Sequence, residues 1–233
     1  MEDKDIAIKI NNLQKTYHTK NKEINVLKNL NATFYSGQLY AIMGHSGNGK
    51  STLIHILGLI DQFDNGEYKI FNREIKDLND KELSNIRLKN IGFIFQDFNL
   101  MPTLKAFENV MVPMLINKEI DIKQRKNRAI ELLNHVGLKE RFNHFPKELS
   151  GGEQQRVAIA RSLANNPNII LADEPTGNLD EKNETIIFEL LKKLSENGKC
   201  VIVVSHSNKI REYADKTYLL NNGKLEGDIN WMH

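Results

Sequence analysis

Leu39-Tyr40-Ala41-Ile42-Met43-Gly44-His45-Ser46-Gly47-Asn48-Gly49-Lys50-Ser51-Thr52 is the stretch that decides the fold. It opens with an unbroken apolar run, as expected of a strand buried on both faces of a parallel sheet. Beyond the glycine-rich part, Leu53, Ile54, Ile56, Leu57 and Ile60 recur at helical spacing. Strand, loop and helix therefore follow in order, and Gly44 to Ser51 fits G-x-x-x-x-G-K-[ST] at the junction where that pattern has physical sense. A polyphosphate needs backbone N–H groups, which glycines let the chain bring close, and the positive end of a helix dipole. Lys50 adds a mobile cation and Ser51 a hydroxyl suited to Mg2+. Gly44, His45, Ser46, Gly47, Asn48, Gly49, Lys50, Ser51 and Thr52 form the candidate cradle, a device shared by kinases, GTPases and motors.

Working outward, Ile169-Ile170-Leu171-Ala172-Asp173-Glu174 reads as a second buried strand, ending in two carboxylates. A parallel sheet delivers strand ends to one edge, so those carboxylates are expected beside the phosphate loop. Asp173, at the strand end, suits the Mg2+ shell, and Glu174 suits a general base that polarises an attacking water. Cys200 to Val204 reads as a further strand. Before it, Ile186, Ile187, Leu190, Leu191 and Leu194 line one face of a helix that Gly198 stops.

The first third reads as short strands near Ile6 to Ile10, Phe34, Leu39 to Met43 and Tyr68 to Phe71, with Asn65-Gly66 as a turn signal. From about Asp77 to Gly137 the pattern becomes helical, with Ala129, Ile130, Leu132, Leu133 and Val136 behind a basic stretch at Lys123 to Arg128. That stretch reads as a solvated helix face, although lipid headgroups would use the same charges. No linker, repeat or low-complexity tract divides the chain, so residues 1–233 are expected to form one unit with a helical lobe at about 97–160.

Composition limits the alternatives. Thirty-two Lys and Arg against thirty Asp and Glu leave +2, too little to argue for nucleic acid. The single cysteine, Cys200, lies in an apolar run and reads as a buried, inert thiol. The acidic start, Met1 to Asp5, has no secretory signal pattern, and no window approaches the ~20 apolar residues that span a bilayer. Any membrane role is expected to come through a partner. His18, His45, His55, His135, His144 and His233 show no zinc-ligand spacing.

Leu149-Ser150-Gly151-Gly152-Glu153-Gln154-Gln155-Arg156, ahead of a helical stretch at Val157 to Ala164, makes a resemblance specific. It resembles the signature motif of the ABC ATPase family, and phosphate loop, signature and carboxylate strand stand in that family's order over nearly the whole chain. Serine and glycines at a helix start repeat the anion logic of the first loop. The resemblance implies an α/β fold: a P-loop NTPase core with a mainly parallel sheet, an N-terminal antiparallel β subdomain and an α-helical signature subdomain.

The resemblance also implies roles. Ser150, Gly151, Gly152 and Glu153 would face the nucleotide of a second subunit, so that two ATP molecules lie between two protomers, most simply a homodimer. Gln96, after the apolar run Ile91 to Phe95, resembles the glutamine that contacts Mg2+ and water. His206 resembles the histidine that contacts the γ-phosphate, which makes it and Glu174 the candidate catalytic pair. Asp180 resembles the aspartate that couples the two sites, and it reads equally as a helix N-cap. Tyr17 resembles the aromatic residue that stacks on adenine, with a plain core or surface tyrosine as the other reading.

Asp77 to Leu83, the run Ile91 to Pro102 and Asp173 to Asp180 look like the branch holding bacterial macrolide and lipoprotein exporters and bacitracin-type peptide-resistance pumps. Arg141 to Glu148 lacks the acidic-glycine element of fused multidrug exporters, and little chain follows His206 to form a regulatory domain. The expectation is an ATP-hydrolysing subunit on the cytoplasmic face of the cell membrane. It would power a separate integral membrane permease that exports or removes an antimicrobial peptide, an antibiotic or a lipoprotein. A cell-division or signalling ATPase acting through a permease-like partner, or a soluble ABC ATPase, are the alternatives.

Overall fold

The computed structural model describes residues 5–19 and 22–227; Met1 to Lys4 and His233, which entered the sequence reading, lie outside them. Two long strands come first, β1 (Ile6–Thr19) and β2 (Lys22–Tyr35). They lead into β3 (Leu39–Met43), α1 (Lys50–Leu57), β4 (Asn65–Ile70) and the short β5 (Arg73–Glu74). Next are α2 (Asp80–Asn90), β6 (Ile91–Ile94), α3 (Ala106–Leu115), α4 (Ile122–His135) and α5 (Gly151–Ser162). The remaining elements are β7 (Ile169–Asp173), α6 (Glu181–Glu196), β8 (Cys200–Val204), β9 (Lys216–Asn221) and β10 (Lys224–Gly227).

The strands form a 4-stranded sheet ordered β2-β1-β4-β5 and a 6-stranded sheet ordered β10-β9-β3-β8-β7-β6. All pairs of the first are antiparallel; in the second only β9 and β10 run antiparallel. The α/β class, with both kinds of sheet, agrees with the resemblance. β3 and β8 are buried at every position because each face of the parallel sheet meets its own core. Leu39, Ala41, Val201 and Val203 join α3, α4, α5 and α6 on one side. Tyr40, Ile42, Ile202 and Val204 join α1 and the antiparallel sheet on the other. Cys200 sits in this second core, where burial pushes its thiol up to about 12.

Two features of the antiparallel sheet differ from the sequence reading. Asn65-Gly66 is no turn: it begins β4. Gly66 has φ 107°, and a Cβ there would stand 2.6 Å from the Asn12 carbonyl oxygen, so glycine serves a close approach to β1 beside a register shift. β1 and β2 also run far beyond Ile10 and Phe34. Their pairing shifts register at Ile6/Ile8, Ile10/Leu13, Leu13/Lys15 and Lys15/Thr16, which breaks the period-2 alternation by which strands are read. Within the helical stretch that begins near Asp77, β6 returns to the parallel sheet beside β7, and the helices α3 to α5 follow it.

Candidate functional site

Parallel register brings the strand ends together. Ile42 pairs with Val204, Val204 with Asp173 and Ala172 with Ile94, so the loops after β3, β8, β7 and β6 emerge side by side. Ligands of such sheets bind at this edge. A cleft of about 630 Å³ opens there, with Ser46, Gly47, Gly49, Lys50, Ser51, Thr52, Gln96, Glu174 and His206 in its lining.

The phosphate loop takes its shape from backbone that side chains resist. Gly47 and Gly49 have φ of 82° and 91°, and Gly49 caps α1 without a side-chain hydrogen bond. Gly44 lies so near β9 that a Cβ would meet the Leu220 carbonyl oxygen at 2.5 Å. Asn48 Nδ2 donates to the same carbonyl at 3.2 Å. Lys50, only 6% exposed, folds back so that Nζ donates to the carbonyls of Gly44 at 2.9 Å and His45 at 3.3 Å. Burial pulls its pKa below the usual lysine value, against the opposing pull of Glu174 and Asp173. The His45 ring is exposed and outside the cleft lining.

Glu174 follows β7 with φ 46°, a left-handed conformation that costs a glutamate free energy and recurs at functional sites. Its Oε2 accepts the His206 N–H at 3.0 Å. Its Oε1, shielded from solvent, accepts no conventional hydrogen bond but lies 3.2 Å from His206 Nε2 and 3.8 Å from Lys50 Nζ. Burial raises the Glu174 pKa, while the His206 N–H and the charges of His206 and Lys50 oppose the rise. His206 Nε2 also stands 3.1 Å from Lys50 Nζ and 3.3 Å from Ser46 Oγ. Ser51 Oγ donates to Asp173 Oδ1 at 3.3 Å. Burial raises the Asp173 pKa too, against His55, Ser51 and Lys50.

Other sequence candidates stand apart from the cleft. Ser150 caps α5 in a capping box: its Oγ accepts the Glu153 N–H at 3.3 Å and Glu153 Oε2 accepts the Ser150 N–H at 2.8 Å. Arg141 Nε reaches Glu153 at 3.2 Å. Gly152 is buried so tightly that a Cβ would stand 2.1 Å from Asn183 Oδ1. Asp180 caps α6, accepting the Asn183 N–H at 2.8 Å. None of these residues lines the cleft. Tyr17 is also outside its lining, 38% exposed, with its hydroxyl donating to Asp61 Oδ2 at 2.5 Å.

Sequence reasoning missed Val26, Gly177 and His55. Val26 lines the cleft from β2, where a Gly49 Cβ would stand 2.7 Å from its side chain. Gly177 lines it on the far side, and a Cβ there would stand 3.2 Å from Gln96 Nε2. His55 Nε2 stands 3.7 Å from Asp173 Oδ2. It is one helical turn beyond Ser51, so i, i+4 spacing on α1 was a signal available for it.

The family described as ABC transporter matches residues 27–177. The chain is 48% identical over 223 residues to an ABC transporter ATP-binding protein, MJ0796, of Methanocaldococcus jannaschii, covering 94% of this chain and 95% of that one. It is 45% identical over 221 residues to the lipoprotein-releasing system ATP-binding protein LolD of Wigglesworthia glossinidia brevipalpis, covering 94% and 96%. Against the macrolide export ATP-binding/permease protein MacB of Bdellovibrio bacteriovorus it is 46% identical, yet spans 34% of that protein's length. Among solved structures, a dimeric post-hydrolysis state of MJ0796 bound to ADP and Pi is similar with a TM-score of 0.86 and 47% identity, covering 94% of this chain and 96% of that one.

Proposed function

The chain belongs to the ABC transporter family, and we propose that the cleft at the carboxyl ends of β3, β7 and β8 is where, as an ATP-binding and ATP-hydrolysing subunit, it carries out its reaction. The observation that supports this most is the meeting of Lys50, Glu174 and His206, whose reactive atoms lie 3.1, 3.2 and 3.8 Å apart. In this reading the triphosphate lies along Gly44 to Thr52, opposite backbone N–H groups, the α1 N-terminus and Lys50. A desolvated cation interacts more strongly with a phosphate than one in water.

Glu174 then takes a proton from a water whose oxygen bonds to the γ-phosphorus. The bond from that phosphorus to its bridging oxygen breaks, and the electron pair leaves with ADP. Burial favours this role, since a carboxylate with a raised pKa is a stronger base than one on the surface. His206, within reach of both Glu174 and Lys50, is suited to steady the γ-phosphate and the water. Ser51, Asp173 and Gln96 supply a hydroxyl, a carboxylate and an amide carbonyl, the hard oxygen donors that Mg2+ favours, and the bond between Ser51 and Asp173 fits that use. Bound there, the ion would neutralise phosphate charge.

Ser150, Gly151, Gly152 and Glu153 lie outside the cleft of their own chain and would serve the nucleotide of a second copy. Because the Ser150 hydroxyl accepts the Glu153 N–H, its own proton is free to donate to a phosphate oxygen. Asp180 would then stand at the boundary between copies. The similar solved structure is described as dimeric, which supports a homodimer. The relatives LolD, named for lipoprotein release, and MacB, named for macrolide export and as a permease, support a membrane permease partner with a lipoprotein or an antibiotic as cargo; placement at the cytoplasmic face of the membrane and an antimicrobial peptide as cargo rest on the motif resemblance alone. Among the described residues no helix is long and apolar enough to cross a membrane.

Lys50→Ala tests the site: ATP affinity and turnover should each fall by about tenfold or more, given the charge it removes from beside the phosphates. Native affinity and turnover in this variant would remove the loop assignment. A tagged chain with ATP and Mg2+ should recover an integral membrane protein from detergent-solubilised membranes. Recovery of ribosomal or nucleic-acid-bound proteins alone would favour a soluble ATPase.

A further inference from the structure

Tyr17 stands on β1 directly after a break in pairing, with register shifts against β2 on both sides of Lys15. Bulges of this kind re-aim side chains. Lys15 turns inward and is 8% exposed. Its Nζ donates to Asp61 Oδ1 at 3.1 Å and to the Gln62 carbonyl at 2.6 Å, with Asp64 Oδ1 at 3.9 Å. The other Asp61 oxygen accepts the Tyr17 hydroxyl at 2.5 Å. The same ammonium lies 4.9 Å from the centre of the Tyr17 ring. Asp64 completes the grip: its carboxylate accepts the Thr16 N–H at 2.6 Å, and its own N–H donates to the Gln14 carbonyl at 2.9 Å.

The gripping residues belong to the turn that leaves α1, the helix whose other end cradles the phosphates. Asp61 is itself tied to that helix, its N–H donating to the His55 carbonyl at 3.3 Å. One rigid element thereby sets both the phosphate loop and the tyrosine ring. With Lys15 over one face, a planar base has the opposite face to stack on, and a ring already held in place loses little conformational freedom when it does so.

We infer that Asp61 and Lys15 are positioning residues for the nucleobase: they hold the Tyr17 ring for stacking and so govern affinity for the base separately from affinity for the phosphates. This rests on the reading of Tyr17 as the residue beneath adenine. The alternative, a clamp that only secures strand β1, makes a different prediction, because a scaffold defect does not distinguish a nucleotide from its phosphates alone.

The experiment is equilibrium titration of the full chain with ATP and with inorganic triphosphate, both with Mg2+, for the native protein, Asp61→Ala, Asp61→Asn and Tyr17→Ala. Asp61→Ala removes the acceptor of the Tyr17 hydroxyl and one of the partners that hold Lys15, so ATP binding should weaken about tenfold while triphosphate binding stays within about twofold. Asp61→Asn keeps an acceptor for the tyrosine hydroxyl but no charge for Lys15, and should lose about threefold; it also keeps the test intact if the alanine variant does not fold. If Tyr17→Ala loses the preference for ATP while both Asp61 variants retain it, or weaken both ligands equally, the inference is overturned and the reading of Tyr17 survives. If Tyr17→Ala itself keeps the native ratio of ATP to triphosphate affinity, the reading of Tyr17 fails and the inference falls with it.

Discussion

Replacing Glu174 by glutamine tests the chemistry with little disturbance of the fold. The side chain is 14% exposed and sits on backbone with φ 46°, a conformation that a residue of the same length inherits unchanged. The amide oxygen can still accept the His206 N–H, which Glu174 takes at 3.0 Å. Proton abstraction is lost. A positioned general base contributes a factor of about 100 to 10,000, or about 2.7 to 5.4 kcal/mol of barrier at 1.36 kcal/mol per decade. Steady-state phosphate release should therefore fall by at least about a hundredfold. ATP affinity should persist, because Lys50 and the loop glycines remain, and ATP-bound dimers should accumulate in gel filtration. Stability moves the other way. A carboxyl whose folded pKa is raised stabilises the fold most below its ordinary value of 4.5, and that contribution is lost as pH rises through the raised value. At neutral pH the native protein thus carries the cost of a buried charge that glutamine lacks, and the variant should melt no lower than the native chain. Turnover within threefold of native would refute the base assignment, and a lower melting temperature would refute the charge argument.

Two further outcomes follow from the same geometry. The acid limb of the turnover-against-pH profile should lie above 4.5, since burial raises Glu174 despite the opposing His206 and Lys50, and an ionised Glu174 is the form that accepts the proton; a limb at or below 4.5 would place the base elsewhere. Gly152→Ala would set a methyl 2.1 Å from Asn183 Oδ1 and 3.1 Å from its Cβ, forcing that side chain away from the Asp180 oxygens that its amide meets at 3.0 Å. Chemical denaturation should show a loss of about 1 to 3 kcal/mol, typical of overpacking, and unaltered stability would contradict the contact.

Much of the site is written locally. The glycines at 44, 47 and 49, the lysine and the serine must follow one another because a single stretch of backbone wraps the anion, so their order alone points to phosphate. The apolar runs at Leu39 to Met43, Ile169 to Ala172 and Cys200 to Val204 are unbroken because both faces of the sheet are covered, and that too is local. These two features sufficed for the α/β class and for setting Asp173 and Glu174 beside the loop. Strand length in the first sheet was hidden, since repeated register shifts in β1 erase the alternation that marks a strand. So were Val26 against Gly49 and the clamp of Lys15 on Asp61 and Tyr17, formed between segments far apart in the chain or by a bulge that turns one side chain inward. The order of residues along the chain names the chemical groups that gather at the strand ends, because one contiguous stretch of backbone must wrap the anion. Which neighbours hold those groups in place depends on sheet register and close packing, which bring together residues far apart in the chain and so show only in the folded molecule.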